Sequence, residues 1–248
     1  MKILILGDVH GMWEDLGVTI AKALRKYPDI THVIQMGDMG YSWPGTKPFK
    51  FSKAYFAPIK RDLNLSKHEA RAFIDNIKFM WIDGNHENHD QLDLDGGAWQ
   101  PGWTYMPRGS TLEIDGFRLM FFGGASSIDK SSRTEGKSWW NQESIKYGQI
   151  AKTLEKENGP IDALFSHEHA ISIPYSEKRY GSENMACGKS DRDMLQALID
   201  AYKPKFHFFG HHHFPETGMI GEMQWTCTPI IEMRTYTIWD GKEVICEW

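Results

Sequence analysis

Cysteine is scarce in this sequence, and the few cysteines lie far apart. The 248 residues include three, Cys187, Cys227 and Cys246, and no two of them form a Cys-x-x-Cys pair. This count and spacing exclude a zinc site built from thiolates and do not fit a disulfide framework. We therefore expect a protein of a reducing compartment, the cytoplasm.

Long apolar runs are also absent. No stretch approaches the roughly 18 apolar residues of a membrane helix. The apolar run that ends at Leu6 is too short for the core of a signal peptide. There is no internal repeat and no linker rich in glycine, serine or proline. These absences predict one globular domain over residues 1–248, with no contact to a membrane and no obligate protein partner.

The sequence has no excess of positive charge. Its formal net charge of −5 at pH 7 argues against a protein whose whole surface binds nucleic acid. Residues 42–71 are a local exception, because they carry seven lysines or arginines against two acids, with five aromatic residues among them. We interpret this segment as an insertion with an ordinary solvated helix face, and a grip on a nucleotide or single strand is the alternative.

What recurs in the sequence is a short apolar run that stops abruptly at a polar residue. Four such runs end in glycine and one ends in serine: the junctions are Gly7-Asp8, Gly37-Asp38, Gly84-Asn85, Ser166-His167 and Gly210-His211. Because the hydrophobicity of these runs is continuous rather than alternating, they predict strands that are buried on both faces.

Helical periodicity appears between the apolar runs. It predicts helices over residues 13–26, 66–76, 141–157 and 190–202, the last with Ser190 as its N-cap. Residues 111–122 and 231–248 are typical of hairpins, with turns at Asp115-Gly116 and Asp240-Gly241. Strands that alternate with helices predict an α/β fold with much parallel pairing, in a mixed sheet or a two-sheet sandwich.

The residues that follow the strands have side chains that bind metals. Ligands of open α/β sheets lie beyond the carboxyl ends of the strands, so we expect these residues to share one edge. On an extended chain alternate residues point to one side, which adds His10 and His213 and turns His212 away. The full set of candidates is Asp8, His10, Asp38, Asn85, His167, His211 and His213.

Seven nitrogen and oxygen donors are too many for one tetrahedral ion. They suit two ions that share a bridging carboxylate, an arrangement that clamps a phosphoryl group. Imidazole together with carboxylate favours manganese, iron, zinc or nickel over calcium or magnesium. We expect manganese to be the favoured metal.

Five motifs, in order along the chain, resemble those of the calcineurin-like metallophosphoesterases. They are Gly7-Asp8-Val9-His10-Gly11, Gly37-Asp38, Gly84-Asn85-His86-Glu87, Ser166-His167 and Gly210-His211-His212-His213. The resemblance implies a four-layered αββα sandwich with mixed sheets and a binuclear site. It implies one ion at Asp8, His10, Asp38 and His213, and a second at Asp38, Asn85, His167 and His211. It also implies that Asp38 bridges the ions, that a metal-bound hydroxide attacks phosphorus, and that His86 acts near the leaving group as general acid or electrostatic stabiliser.

The sequence departs from one branch of that family. Gly37-Asp38 continues as Met39-Gly40-Tyr41, without the arginine that grips phosphate in the Ser/Thr protein phosphatases, so a phosphatase of that type is disfavoured. The sequence looks more like the small bacterial and bacteriophage members. Lys130, Arg133 and His169 are candidates for substrate contacts, since lysine and arginine match phosphate oxygens.

The substrate class stays open at this point. We favour a phosphodiester of a nucleotide or nucleic acid, because of residues 42–71 and of Lys130 and Arg133. A phosphomonoesterase that acts on small molecules or phosphoproteins is the alternative. A scaffold that binds metal without catalysis is disfavoured, since the ligand set and His86 are all retained.

Overall fold

The computed structural model of the chain describes residues 1–48, 57, 60, 61, 63–156, 159–175 and 186–248, without the side chains of residues 67, 71 and 73. Its helices are α1 (Trp13–Lys26), α2 (Lys67–Asp75), α3 (His89–Asp95), α4 (Tyr147–Lys156) and α5 (Lys189–Tyr202). Its strands are β1 (Ile3–Leu6), β2 (His32–Gln35), β3 (Lys78–Trp81), β4 (Thr104–Tyr105), β5 (Ser110–Ile114), β6 (Phe117–Phe122), β7 (Ala163–Ser166), β8 (Phe206–Phe209), β9 (Glu216–Ile220), β10 (Met223–Cys227), β11 (Tyr236–Trp239) and β12 (Val244–Glu247).

The strands form two mixed sheets of six strands each. The first has the order β12-β11-β1-β2-β3-β4, in which β1 to β4 are parallel and β11 and β12 are antiparallel to their neighbours. The second has the order β5-β6-β7-β8-β10-β9, in which β6, β7, β8 and β10 are parallel. The carboxyl ends of β1, β2 and β3 therefore lie along one edge, and so do those of β7 and β8.

Each central strand buries alternate residues on opposite faces. In β1, Leu4 and Leu6 pack against α1, while Ile3 and Ile5 pack against residues of the second sheet. In β6, Phe121 packs between the sheets and Phe122 packs on the outer helical side. Because both faces are covered, most positions in these strands are apolar, and the polar residues His32, Gln35 and His207 are buried as well. The layers are helix, sheet, sheet and helix, which confirms the predicted four-layered αββα sandwich.

The four predicted helices are present, and the bounds of three of them differ from those predicted. The helix expected over residues 141–157 is a single 3-10 turn, Asn141–Glu143, followed by α4. The prediction of Ser190 as N-cap is wrong, because α5 begins at Lys189 after Gly188, whose φ is +68°. None of the helices among the described residues is long and apolar enough to cross a membrane.

Both predicted hairpins are present, as β5–β6 and β11–β12. Within the insertion predicted at residues 42–71, residues 49–56, 58, 59 and 62 lie outside the described part of the chain. The role of that insertion and the single domain over residues 1–248 therefore stay predictions.

Candidate metal centre

The seven candidate ligands converge where the carboxyl ends of the strands of both sheets meet. Asp8, Asp38 and Asn85 follow β1, β2 and β3 of the first sheet, and His167 and His211 follow β7 and β8 of the second. Their donor atoms form two groups that share Asp38. The first group contains Asp8, His10, Asp38 and His213, and the second contains Asp38, His167 and His211. Asn85 joins the second group, because its Oδ1 lies 3.2 Å from His167 Nε2.

The spacing of the donor atoms suits metal ligation. Two ligand atoms that are each about 2.1 Å from one ion lie about 3.0 to 3.4 Å apart when the angle between them is about 90° to 109°. In the first group, His213 Nε2 is 3.0 Å from Asp8 Oδ2 and 3.2 Å from His10 Nε2. In the second group, His167 Nε2 is 3.4 Å from Asp38 Oδ1. These distances match the edges of a coordination shell.

The charges in the centre also favour cations. Asp8 and Asp38 are 0% and 1% exposed, and within the described residues their only ion-pair partners are histidines. Asp8 Oδ2 is buried, and in the described part of the chain its close polar neighbour is the His213 ring, 3.0 Å away. Burial lowers the pKa of His167, but the carboxylates of Asp38 and Asp8 outweigh burial and raise it to about 10. The carboxylates thus attract a positive charge, which divalent ions supply when they displace such protons. The donor set fits two divalent ions.

Four candidate ligands have a left-handed backbone. The φ angles are +48° at His10, +54° at Asp38, +64° at His211 and +66° at His213. This corrects the expectation that Asp8 and His10, and likewise His211 and His213, alternate along an extended chain. His211 and His213 belong to different groups of donors. Left-handed residues other than glycine are uncommon and cost about 1–3 kcal/mol each, so the surrounding structure must hold them in place.

Glycine lets the ligand-bearing turns approach each other. A Cβ on Gly84 would overlap the carboxylate of Asp38 and lie 2.7 Å from His167 Nε2. At Gly37, whose φ is +94°, a Cβ would overlap the ring of His167. The glycines before Asp38 and Asn85 are therefore needed for contact between the two halves of the centre.

Backbone groups orient several of the ligands. His167 Nδ1 is 2.6 Å from the carbonyl oxygen of Met36, which places the ring proton on Nδ1 and leaves Nε2 as the ligand atom. The backbone N–H of His211 donates to Asp8 Oδ1 over 2.9 Å. Asp8 therefore presents its other oxygen, Oδ2, to the first group.

A buried carboxylate that was not predicted from the sequence holds Asn85 in place. Asn85 Nδ2 donates to Ser127 Oγ over 3.0 Å, and Ser127 Oγ donates to Glu143 Oε2 over 2.8 Å. Glu143 Oε1 also accepts from the backbone N–H of Ser127 over 2.6 Å. These bonds direct Asn85 Oδ1 towards His167. No local sequence signal links residues 85, 127 and 143, because they are brought together only by the fold.

His86 lies at the open side of the centre, beside Arg133 and Trp43. Its backbone N–H donates to Asp38 Oδ1 over 2.7 Å, and its ring lies 4.8 Å from that of His10. Arg133 Nη2 is 3.0 Å from His86 Nε2, and because arginine only donates, Nε2 is the acceptor. The ring of Trp43 is 5.0 Å from that of His86 and 5.7 Å from the Arg133 guanidinium carbon. Arg133 is a predicted substrate contact, whereas Trp43 was not predicted to have a role of its own.

The remaining candidates, Lys130 and His169, belong to neither ligand group. Lys130 is exposed on a 3-10 turn, in the same loop as Arg133. His169 is fully buried, with Nδ1 2.7 Å from the carbonyl oxygen of Ala170, and it belongs to neither ligand group. Substrate contacts by Lys130 and His169 stay predictions. His212 also belongs to neither ligand group; its ring lies 4.9 Å from that of His211, and its Nε2 lies 2.8 Å from Glu168 Oε1.

Comparison with known proteins agrees with this geometry. The family model of the calcineurin-like phosphoesterases matches residues 1–215. A comparison with curated protein sequences finds no match. The chain therefore belongs to the calcineurin-like phosphoesterase family, and it is a hydrolase that acts on phosphoester bonds.

Solved structures with the same fold cover nearly the whole chain. TT1561 of Thermus thermophilus matches 99% of this chain and 97% of its own at 14% identity, with a TM-score of 0.59. Phosphopantetheinyl hydrolase from Mycobacterium tuberculosis matches 93% and 90% at 15% identity, with a TM-score of 0.52. A dimetal phosphatase from Danio rerio matches 100% and 98% at 12% identity, with a TM-score of 0.51. At these identities the likeness is one of fold.

Proposed function

We propose that the chain hydrolyses phosphodiesters of nucleotides or nucleic acids in the cytoplasm, at a centre of two divalent transition-metal ions, with manganese favoured. Asp8, His10, Asp38 and His213 would bind one ion, and Asp38, Asn85, His167 and His211 the other. The two oxygens of Asp38 support this division. Oδ1 lies 3.4 Å from His167 Nε2, and Oδ2 lies 3.7 Å from His10 Nε2, so the carboxylate faces both groups. Asp38 is therefore the proposed bridge.

The ions would activate water at neutral pH and neutralise charge on the phosphoryl oxygens. The residues at the open side of the centre would admit the substrate and assist the departure of the leaving group. His10 and His213 are 22% and 39% exposed at their side chains, so this side of the centre admits substrate. Burial lowers the pKa of His86, which favours a neutral ring that carries its proton on Nδ1. His86 is then a hydrogen-bond donor to the leaving-group oxygen, and Arg133 orients its ring.

One observation favours a diester that carries a nucleobase or another flat group. The half-buried ring of Trp43 lies against both His86 and Arg133, so an aromatic surface adjoins the proposed leaving-group position. Arg133 also forms an ion pair with Asp129 over 2.8 Å, so the net charge that it offers to substrate is small. A monoanionic diester needs less positive charge than a dianionic monoester, and a base can stack on Trp43.

Three chromogenic substrates test this proposal in the presence of Mn²⁺. We expect kcat/KM to be higher for the para-nitrophenyl ester of thymidine monophosphate and for bis(para-nitrophenyl) phosphate than for para-nitrophenyl phosphate. Trp43→Ala should raise KM for the thymidine ester about 5- to 150-fold, because stacking of one base contributes about 1–3 kcal/mol. Trp248→Ala is the matched control, because it also removes a tryptophan ring, one that is 43% exposed and directly follows β12. Preference for the monoester would instead assign a phosphomonoesterase.

The ligand set is tested separately. Asp38→Ala removes the proposed bridge, and His211→Ala removes one ligand of the second ion. We expect both variants to lose bound metal, measured by equilibrium dialysis and elemental analysis, and to lose turnover of every phosphoester. Wild-type activity in either variant would contradict the proposed centre.

A further inference from the structure

A buried carboxylate, Glu168, lies directly behind the candidate ligands. It follows His167 in the chain and is 1% exposed. It stands outside both ligand groups, and the sequence motifs did not single it out. An acid this deeply buried needs hydrogen bonds or a cation to remain charged, so its partners indicate what it does.

The two oxygens of Glu168 contact different parts of the fold. Oε1 lies 2.8 Å from His212 Nε2 and accepts from the backbone N–H of His169 over 2.8 Å. Oε2 accepts from Arg192 Nη1 of α5 over 3.1 Å. Arg192 is itself 3% exposed and also donates to the carbonyl oxygen of Cys187 over 3.0 Å. Glu168 thus joins α5 to the turn after β8.

That turn is held in a conformation that costs free energy. His212 lies between His211 and His213, which are both left-handed, at φ of +64° and +66°. Such residues persist only where their surroundings over-determine the backbone. The turn is fixed by the bond from the His211 N–H to Asp8 Oδ1 and by that from the Ile230 N–H to the carbonyl oxygen of His213. The His212 side chain restrains the middle of the turn through its polar contact with Glu168 and through ring contacts, among them one with Tyr175.

We infer that Glu168 is a positioning residue that fixes the turn through His212 and so places His211 and His213, one ligand for each proposed ion. This inference rests on the proposed binuclear centre. Partners that orient ligands typically change metal affinity 10- to 100-fold when they are removed. Because Arg192 already occupies Oε2, Glu168, His169 and His212 form an ion-paired support instead of a third metal site, although their donor atoms lie within 4.8 Å of one another.

Co²⁺ binding to the purified full-length protein tests the inference without an activity assay. His212→Phe removes the donor to Glu168 and keeps an aromatic ring beside Tyr175, whose ring centroid is 5.1 Å away. We expect His212→Phe and Glu168→Gln each to bind Co²⁺ about 10- to 100-fold more weakly by equilibrium dialysis. At saturating Co²⁺, we expect their visible absorption spectra to differ from that of the wild type, because the ligand geometry has changed.

The control is His32→Phe. His32 and His212 are both 8% exposed, but His32 is the first residue of β2, at the end of the strand opposite to the candidate metal centre. We expect it to bind Co²⁺ as the wild type does, with the same spectrum. Wild-type affinity and spectrum in both His212→Phe and Glu168→Gln would overturn the inference. So would three ions in the wild type and two in Glu168→Gln, because Glu168 would then be a ligand. Two bound ions without hydrolysis of any phosphoester would refute the proposed function and leave the positioning role intact.

Discussion

Removal of the Asp83 carboxylate should destabilise the protein by several kcal/mol. Asp83 lies two residues before Asn85, and its Oδ2 accepts from Arg108 Nε over 2.9 Å and from Arg108 Nη2 over 2.6 Å. The side chains of Arg108 and Asp83 are 7% and 1% exposed. Arg108 also donates to the carbonyl oxygens of Gln142, Glu143 and Ser144, so it ties β4–β5 to the loop that holds Asn85 through Glu143.

The size of the destabilisation follows from the burial of the ion pair between Asp83 and Arg108. Asp83→Ala leaves the guanidinium charge buried without its counterion, which costs about 3–5 kcal/mol. In a chain of this length each kcal/mol lowers Tm by about 2–4 °C, so we expect a fall of about 6–20 °C. The assay is thermal unfolding in EDTA, which separates this effect from stabilisation by metal.

A double variant and a pH series sharpen the experiment. Asp83→Leu combined with Arg108→Met removes both charges and should be less destabilised than Asp83→Ala.

Burial would raise the pKa of Asp83, but Arg108 and His89 hold it below its usual value. A depressed pKa contributes stability that is present above the unfolded pKa of about 3.9 and is lost as pH falls through the lower folded value. The difference between wild type and Asp83→Asn should therefore be constant from about pH 5 to 8 and shrink below about pH 4. A fall in Tm of less than about 2 °C in Asp83→Ala would refute the reasoning.

Two further predictions concern positions near the centre. Gly84→Ala would push a Cβ into the Asp38 carboxylate, so we expect loss of bound Mn²⁺ in dialysis. Gly148→Ala, at an exposed position of α4 with no atom near the added Cβ, should bind Mn²⁺ normally. Tyr41→Phe removes a buried hydroxyl that donates to Asp95 and accepts from the N–H of Trp99. We expect it to lower the free energy of unfolding, measured by urea titration, by about 1–3 kcal/mol. An unchanged free energy of unfolding would count against a stabilising role of these hydrogen bonds.

The strands and the convergence of the ligands were predictable because each depends on adjacent residues. Apolar runs that stop at Gly7, Gly37 and Gly84 mark buried parallel strands, and parallel strands bring their carboxyl ends together. The hairpin β9–β10 was not predicted. Its strands are partly exposed and lack the continuous apolar character on which the other strand predictions depended.

The parts of the centre that were not predicted depend on contacts between distant segments. Glu143 reaches Asn85 only through Ser127, and Glu168 reaches the turn after β8 across 44 positions of sequence. The left-handed backbone at Asp38 and His211 could not be read from residue types, because aspartate and histidine, although enriched in it, adopt it at only a minority of their positions. The N-cap of α5 was wrong for a similar reason. Gly188 lies close to the Glu168 carboxylate, where a Cβ would come within 2.9 Å, so tertiary packing sets the start of the helix.

The position of the centre between two sheets has a mechanical consequence. Each proposed ion would take ligands from both sheets of the sandwich, Asp8 and His213 for one ion and Asn85 and His167 for the other. Bound metal would therefore cross-link the two sheets. Ions that bind only the folded chain add about 2.7 kcal/mol each to the free energy of unfolding when their concentration is about 100 times Kd. Removal of the metal by a chelator would then weaken the interface between the two sheets before it disturbs either sheet. The rate of amide hydrogen exchange should therefore rise first in the residues at that interface.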